Sequence, residues 1–343
     1  MCVSKSEIKC QLTQKCYDSA EWGPRNIRCQ ACRFQKCLEV GMNTSQLEMN
    51  QEDRKRLDVK LMTRSLSSRD SLAGAITNTL TYLETKLETL RLSAYNPKYC
   101  SYGSLEEIIK STSKISMAEK YGPMPGWPLP KESPKEISTS TRIRDLSDTK
   151  PTFIHDRKIW MLFNTFTSIE YAKTFSFFND LDDNDKLVLA GHTTLMCMFL
   201  HDSYYSYSNK FDGNLQPDGS ETPLKDESIY SILRMSFGPL VRCQIRRDEY
   251  FFLKAICLCN PTIHGLSSHA RTILSEHKQK YASVLFDICR RTKGPNRFVE
   301  LLGIIPVLEQ QQYDYKNFHV TFIAPVLANY EKRSDFVNDI MFS

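Results

Sequence analysis

Four cysteines near the start of the chain constrain its fold more than any other feature. Cys10, Cys16, Cys29 and Cys32 follow the spacing C-x5-C-x12-C-x2-C within 23 residues. Residues 1–42 contain no apolar periodicity long enough for a hydrophobic core, so this unit needs another source of stability. Four thiolates close a tetrahedral structural zinc site, and zinc binding contributes about 10–16 kcal/mol to such small units. The spacing therefore predicts a zinc-stabilised module over residues 1–42.

Two other interpretations of these cysteines are chance clustering and a redox Cys-x-x-Cys motif. A redox motif normally opens a helix in a strand-rich domain, and no strand pattern surrounds this one. Most of the other cysteines sit singly in apolar segments, and residues 1–7 contain no apolar run typical of a secretory signal. The longest apolar segment, 187–200, is too short to cross a bilayer. We therefore expect an intracellular protein with free buried thiols and no membrane partner.

Residues 29–42, Cys-Gln-Ala-Cys-Arg-Phe-Gln-Lys-Cys-Leu-Glu-Val-Gly-Met, resemble the end of the second zinc finger of nuclear hormone receptors. The resemblance implies structural zinc, contacts with DNA phosphates, a nuclear location and homo- or heterodimerisation with another receptor. Residues 11–15 would form the loop used for dimer contacts. The residues implied are the zinc ligands Cys10, Cys16, Cys29 and Cys32, and the DNA-backbone contacts Arg28, Arg33 and Lys36.

The finger departs from the family pattern in two ways. The span between Cys16 and Cys29 is longer than usual, and the sequence contains no first finger with its base-reading helix. In the family that helix enters the major groove and packs on the helix that follows the fourth cysteine. We therefore expect weak DNA binding by the chain as written. The alternative function is a receptor-like module that dimerises or binds coregulators without reading DNA.

The composition changes after the finger. Residues 43–71 are polar and mixed in charge, which predicts a solvated hinge. From 72 to 96, apolar residues such as Ile76, Leu80 and Leu87 recur at helical intervals before Pro97. This helix resembles the first helix of the ligand-binding domain in the divergent, nematode-expanded branch of the family. The predicted fold class is therefore mainly α: a partial four-cysteine zinc-finger module followed by an all-α layered ligand-binding domain over 72–343.

Further helices follow from capping and apolar patterns. Ser104-Leu-Glu-Glu107 is a capping box for a short helix, and the prolines of 122–150 predict an extended loop. Apolar positions predict helices over 157–179 and over the central buried segment 187–200. The acidic cluster 180–185 lacks the glycine and final glutamate of a calcium loop, so we interpret it as a turn whose acids cap the next helix.

Two segments carry the expected coactivator site. The pattern from Ala172 to Leu189 resembles the receptor signature that joins the third and fourth helices, and it puts Lys173 at the family's clamp lysine. Residues 336–341 form an amphipathic pattern that resembles the activation helix, with Asp339 in place of the usual Glu; the alternative is a frayed terminus. Lys173 and Asp339 would cap opposite ends of a coactivator or corepressor helix. The activation-helix residues are Phe336, Val337, Ile340 and Met341.

The ligand pocket is the least determined site. The central buried helix either fills the core or lines a pocket for a small lipophilic ligand, and the sequence does not separate these roles. The pocket residues assigned are Phe166, Leu195, Met196 and Phe199. An enzyme is the competing functional class. We assign no catalytic residue, because no Gly-rich phosphate loop, nucleophile elbow or His-x-x-x-His pair is present.

Overall fold

The computed structural model describes residues 32–33, 72–97, 101–124, 158–220, 227–327 and 335–343. The chain divides into two compact units, Met1–Gly74 and Ala75–Ser343. In the first unit, Cys32 and Arg33 are helical, with Cys32 buried and Arg33 exposed. The other residues predicted to bind zinc or DNA, and the 43–71 hinge, lie outside the described residues: Cys10, Cys16, Cys29, Arg28 and Lys36.

Over its described residues the second unit is helical, apart from one isolated antiparallel bridge between Ser93 and Pro123. The predicted all-α fold is confirmed. The helices are α1 (72–91), α2 (Leu105–Lys110), a 3-10 helix (Ile115–Tyr121), α3 (Trp160–Ala172), α4 (Ser176–Asn179), α5 (Asp183–Ser208), α6 (Glu227–Arg234), α7 (Phe237–Cys243), α8 (Arg247–Leu258), α9 (Ser268–Thr292), α10 (Asn296–Leu302), α11 (Ile304–Phe318), a π-helix (His319–Ile323), α12 (Ala324–Leu327) and α13 (Asp335–Met341).

Helix α5 is the central element of this unit. It packs against α3, α7, α8 and α11, and α8 in turn packs against α9. The predicted buried helix 187–200 lies inside α5, and Leu189, Leu195 and Leu200 have no exposed surface. A helix that is apolar nearly all round must be covered on every side, which explains its position in the middle of the fold.

Helix α1 ends earlier than the sequence predicts, at residue 91 and not at 96. Ser93 closes the helix, since both its backbone N–H and its hydroxyl donate to the carbonyl of Leu90. The chain then pairs with the segment after the 3-10 helix: Ala94 N donates to Gly122 O at 2.9 Å. This pairing joins residues distant in sequence, so helical periodicity alone does not predict it.

The predicted helix over 157–179 is divided into α3 and α4. The break follows Ala172, where Thr174 donates its hydroxyl to Tyr171 O at 2.7 Å and satisfies a carbonyl of the last turn. Phe175 is extended and precedes α4. Lys173 is therefore the C-cap residue of α3.

The acidic segment 180–185 joins α4 to α5, and its residue Asp182 is the N-cap of α5 but makes no side-chain cap hydrogen bond. Asp185 is buried, and its carboxylate accepts hydrogen bonds from Ser267 N at 2.8 Å and Ser267 Oγ at 2.7 Å. Ser267 is the N-cap of α9, so Asp185 secures the start of a helix 82 residues away. The acids of this turn were expected to cap α5, but the Asp185 carboxylate binds Ser267 instead, because the tertiary fold places these donors beside it.

Candidate functional site

Helix α13 is docked on the body of the second unit, against α2 and α5. Phe336 and Ile340 have no exposed surface, Met341 is buried and Val337 is half-buried. The Phe336 ring lies 5.4 Å from the ring of Tyr102. The amphipathic helix predicted for 336–341 therefore forms, with its apolar face buried and Asp339 exposed.

Lys173 and Asp339 bind opposite ends of the same short helix, α2. The Asp339 carboxylate accepts a hydrogen bond from the backbone N–H of Leu105 at 2.9 Å, in the first turn. The Lys173 ammonium donates to the carbonyls of Ile108 at 2.6 Å and Ser111 at 2.9 Å, in the last turn and at the C-cap. An anion at the N-terminus and a cation at the C-terminus both interact favourably with the helix dipole.

The groove that holds α2 is apolar in its middle. Leu105 and Ile108 are buried, and α2 packs against α3, α5 and α13. The predicted capping box is confirmed, with Ser104 accepting from Glu107 N and Glu107 accepting from Ser104 N. We use the name clamp groove for the surface of α3, α5 and α13 between Lys173 and Asp339.

Glu170 positions the clamp lysine and was not found from the sequence. Its fully buried carboxylate lies 2.7 Å from Lys173 Nζ and also accepts from the backbone N–H of Lys114. The spacing of three residues on one helix is the only signal for this pair, and such pairs are common on helix surfaces. Its burial follows from the segment after α2, which the sequence does not locate.

A second contact fixes Ser343, which lies two residues after the end of α13. Ser343 donates its hydroxyl to Gly191 O at 2.9 Å, and Lys316 donates to Ser343 Oγ at 2.8 Å. Burial lowers the pKa of Lys316 to about 8. A Cβ at Gly191 would lie 2.7 Å from Ser343 Cβ, so a glycine is needed there for the close approach. The sequence predicted no role for Gly191 in this contact.

The four residues assigned to a ligand pocket are buried in the helical core. Phe166 lies 5.2 Å from Tyr102 between ring centroids, and Phe199 lies 5.4 Å from Tyr315. Both contacts are edge-on, an arrangement favoured by aromatic quadrupoles. A surface cleft of about 350 Å³ contains none of the four predicted residues. It is lined by Thr81, Arg246, Arg247, Asp248 and Phe251.

Buried charges join α1 to the centre of the fold. The Arg91 guanidinium has no exposed surface and lies 3.1 Å from Glu88 and 3.5 Å from Asp202. Asn164 accepts from Arg91 and donates to Asp202 at 2.9 Å. Burial raises the pKa of the Asp202 carboxyl to about 6, against the opposing effect of Arg91. These contacts connect α1, α3 and α5.

A second buried cluster lies between α1 and α8. Lys254 has no exposed side-chain surface, and its ammonium lies 3.1 Å from Glu84 and 4.0 Å from the Tyr171 ring centroid. His201 lies 2.8 Å from the hydroxyl of Tyr250 through Nδ1. Burial, followed by the charges of Arg91 and Lys254, lowers the pKa of His201 to about 3, which keeps the ring neutral at physiological pH.

Four thiols of the second unit agree with the expectation of free buried cysteines, whereas Cys243 is half-buried. Cys197, Cys257, Cys259 and Cys289 are buried and are not in disulfides. Burial raises the pKa of all four thiols, so they are protonated packing groups and not thiolate ligands. Within the described ranges, no group of three or more His, Cys, Asp or Glu could hold a metal ion, and no helix has the length and apolar character needed to cross a bilayer.

Two family models match the chain. One is described as the ligand-binding domain of nuclear hormone receptor and matches residues 149–320. The other is described as a double treble clef zinc finger of C4 type and matches residues 2–44. The second match covers all four predicted zinc ligands, while α2 and α13 lie outside both matches.

Curated relatives match over nearly the whole chain. Nuclear hormone receptor family member nhr-60 of Caenorhabditis elegans is 36% identical, over 97% of this chain and 81% of that protein. Family member nhr-154 of the same organism is 26% identical, over 96% of this chain and 72% of that protein. Among solved structures, the Ultraspiracle ligand binding domain from Drosophila melanogaster matches with a TM-score of 0.43 and 20% identity, over 52% of this chain and 75% of that chain.

Proposed function

Since this chain belongs to the nuclear hormone receptor family, we propose that it is a ligand-regulated transcription factor that contacts DNA through its zinc finger and recruits coactivators through α13. The observation that carries the proposal is the hydrogen bonding of Asp339 and Lys173 to opposite ends of one helix, α2. The same two groups would hold a coactivator helix in the same polarity. Receptors of this family are generally not enzymes, and we assign no catalytic role.

The DNA-binding half of the proposal rests on the zinc-finger match. We propose a finger over 1–42, a hinge over 43–71 and a ligand-binding domain over 72–343. Zinc would be held by Cys10, Cys16, Cys29 and Cys32, and would fix the fold of a segment too small for its own core. Three basic residues would contact phosphates in the nucleus, without reading bases: Arg28, Arg33 and Lys36.

The regulatory half of the proposal is a two-state switch. A small lipophilic ligand among Phe166, Leu195, Met196 and Phe199 would favour the docked position of α13 over its release. This requires the ligand to bind the docked state more tightly than the released state. Docking completes the clamp groove, because Asp339 lies on α13 whereas Lys173 lies at the end of α3.

Replacing Lys173 by Gln is expected to weaken binding of a coactivator-type helix at least about tenfold, because a charge-assisted bond contributes about 1.5–3 kcal/mol. The probe is a fluorescein-labelled peptide that contains Ser-Leu-Gln-Gln-Leu-Leu-Lys, measured by fluorescence anisotropy on the full chain. Lys280→Gln is the matched control, since Lys280 is exposed on α9 and its replacement should leave the affinity unchanged. Equal affinities for Lys173→Gln and the unsubstituted chain would rule out the clamp, provided that their thermal melts agree.

The second candidate function is a receptor-like module that dimerises, or binds coregulators, without reading DNA. The observation that motivates it is that the printed sequence contains one four-cysteine set, whereas the matching family model describes a double zinc finger. A gel shift of the zinc-loaded chain on duplex DNA separates the two functions. Three phosphate contacts predict a slope of log affinity against log salt concentration of about −3. Arg33→Ala removes one contact and should make the slope about −2. No shift at about 50 mM salt would favour the module without DNA binding.

A further inference from the structure

We propose that α2 is a built-in competitor that occupies the clamp groove, and that a partner helix with the pattern Leu-x-x-apolar-apolar must displace it. The proposal rests on the function proposed for Lys173 and Asp339, and adds that the chain itself keeps this site filled. Because α2 occupies the clamp groove, the sequence of α2 indicates which kind of amphipathic partner helix the groove binds.

The first argument is the polarity of the contacts. Asp339 accepts from the first N–H of α2, and Lys173 donates to carbonyls at its other end. Helix termini leave such groups without intrahelical partners, so these bonds recognise a helix end and not a particular sequence. Any helix of similar length that enters in the same direction would find the same two partners.

The second argument is the apolar spacing within α2. Leu105, Ile108 and Ile109 occupy positions i, i+3 and i+4, the spacing of a helix that binds in an apolar groove. Leu105 and Ile108 are buried and Ile109 is half-buried, whereas Glu106 and Glu107 face solvent. Helix α2 therefore has the apolar spacing expected of a partner helix that binds in the clamp groove.

The third argument is the tether. On the N-terminal side, Tyr102 is buried against Phe166 and Phe336. On the C-terminal side, Ile115 and Ala118 of the 3-10 helix are buried. A segment anchored on both sides has a high effective concentration at its site, so a free partner competes against it at a disadvantage.

The entry into α2 depends on Gly103. Its φ of +74° lies in the left-handed region, and an added Cβ would meet the Glu107 carboxylate. The Gly103 carbonyl accepts from Phe336 N at 3.2 Å, so the same turn starts α2 and receives α13. This turn precedes α2, so its bond to Phe336 does not depend on the α2 side chains.

Helix α2 is nevertheless replaceable. It has six residues, well below the length at which an isolated helix is stable, and it buries two aliphatic side chains fully. Its ends are held by Asp339 and Lys173 through main-chain groups that every helix terminus leaves without intrahelical partners. A partner helix that buries three apolar side chains in the clamp groove makes more apolar contacts there than α2 does. The anchors of the segment at Tyr102 and Ile115 remain in place when α2 leaves.

The first test empties the groove. The double variant Leu105→Ser/Ile108→Ser removes both buried side chains of α2, and the labelled peptide containing Ser-Leu-Gln-Gln-Leu-Leu-Lys reports the affinity of the full chain. If α2 fills the groove in at least nine-tenths of the molecules, the variant should bind at least about tenfold more tightly than the unsubstituted chain. Glu106→Gln changes an exposed residue of α2 and should leave the affinity unchanged.

Adding Lys173→Gln to the double variant separates the two proposals. Tighter binding by the double variant that is lost again with Lys173→Gln supports both. If the double variant and the unsubstituted chain bind the peptide equally, and Lys173→Gln weakens binding in both, the competitor role is overturned. The clamp assignment is then retained. If Lys173→Gln does not change peptide binding, or if neither the unsubstituted chain nor any variant binds the peptide, both the clamp and the competitor role are overturned.

The second test uses the unsubstituted chain and does not depend on the folding of a variant. Hydrogen exchange of residues 105–111 is measured by mass spectrometry with and without saturating peptide. Displacement should speed exchange at these amides, since they lose the α2 hydrogen bonds when the peptide enters. Unchanged exchange at 105–111 with bound peptide would overturn the competitor role, because the peptide would then bind without moving α2.

Discussion

Replacing Arg297 by Ala is expected to lower the free energy of unfolding by about 3–5 kcal/mol, because it leaves a buried carboxylate without its cation. Arg297 and Glu249 have almost no exposed surface and form two parallel bonds, Nη2 to Oε2 at 2.7 Å and Nε to Oε1 at 2.9 Å. Arg297 also donates to the carbonyl of Cys243 at 2.6 Å. One side chain thus joins α10 to α8 and to the end of α7.

Glu249 is held in its charged form by this pairing. Burial acts to raise its pKa, but the hydrogen bonds from Arg297 and from Arg246 N hold the pKa below its usual value. The same carboxylate closes the capping interaction at the start of α8, where it accepts from Arg246 N at 2.8 Å. Loss of Arg297 therefore affects a helix terminus as well as an ion pair.

Urea denaturation of the full chain, followed by circular dichroism, measures this effect. Arg290→Ala is the matched control, because Arg290 pairs with Asp287 at 3.8 Å on an exposed face of α9. Exposed helix pairs three or four residues apart contribute about 0.2–0.5 kcal/mol, so the control should change the stability little. Similar losses for the two variants would show that the buried pair has no special role in stability.

Replacing Lys254 by Met is expected to cost a similar amount, about 3–5 kcal/mol, for the same reason. The Lys254 ammonium is enclosed by Glu84 at 3.1 Å, Tyr250 OH at 3.2 Å and the Tyr171 ring. Methionine preserves most of the side-chain volume but leaves the buried Glu84 carboxyl without its cation. The change separates the effect of charge from the effect of a cavity.

The double variant Lys254→Met/Glu84→Leu sharpens this prediction. Removing both charges leaves no unpaired ion, and replacing a buried pair by apolar residues is often neutral or stabilising. We therefore expect the double variant to recover most of the stability lost by Lys254→Met, measured by urea denaturation at constant pH. If the double variant is no more stable than the single one, the loss comes from packing and not from the unpaired carboxylate.

Much of the helical framework could be predicted from local patterns. The capping box at Ser104 and Glu107, the apolar segment 187–200 and the amphipathic pattern 336–341 each form the expected helix. These predictions succeed because a helix is stabilised by hydrogen bonds and caps between residues three or four positions apart. The predicted boundaries of α1 and α3 fail where a hydroxyl residue bonds to the last turn, Ser93 to Leu90 O and Thr174 to Tyr171 O.

The buried polar residues were much harder to find. Arg91, Lys254 and Glu170 resemble ordinary polar positions on helix surfaces, and the sequence does not indicate that they are enclosed. The acids of 180–185 were predicted to cap α5, yet the Asp185 carboxylate binds Ser267 at the start of another helix. A charged residue is buried only where the fold brings its partner close, and sequence spacing carries no information on that partner.

The sequence by itself determined the receptor resemblance, the four-cysteine spacing, the helices and the identity of Lys173 and Asp339 as the clamp candidates. Only the tertiary structure decided that these two residues bind α2, through bonds that link positions 65 and 234 residues apart. Local patterns set which segments become helices, because those hydrogen bonds are local. Which helix fills which groove depends on how all of them pack, and that is fixed by the whole fold at once.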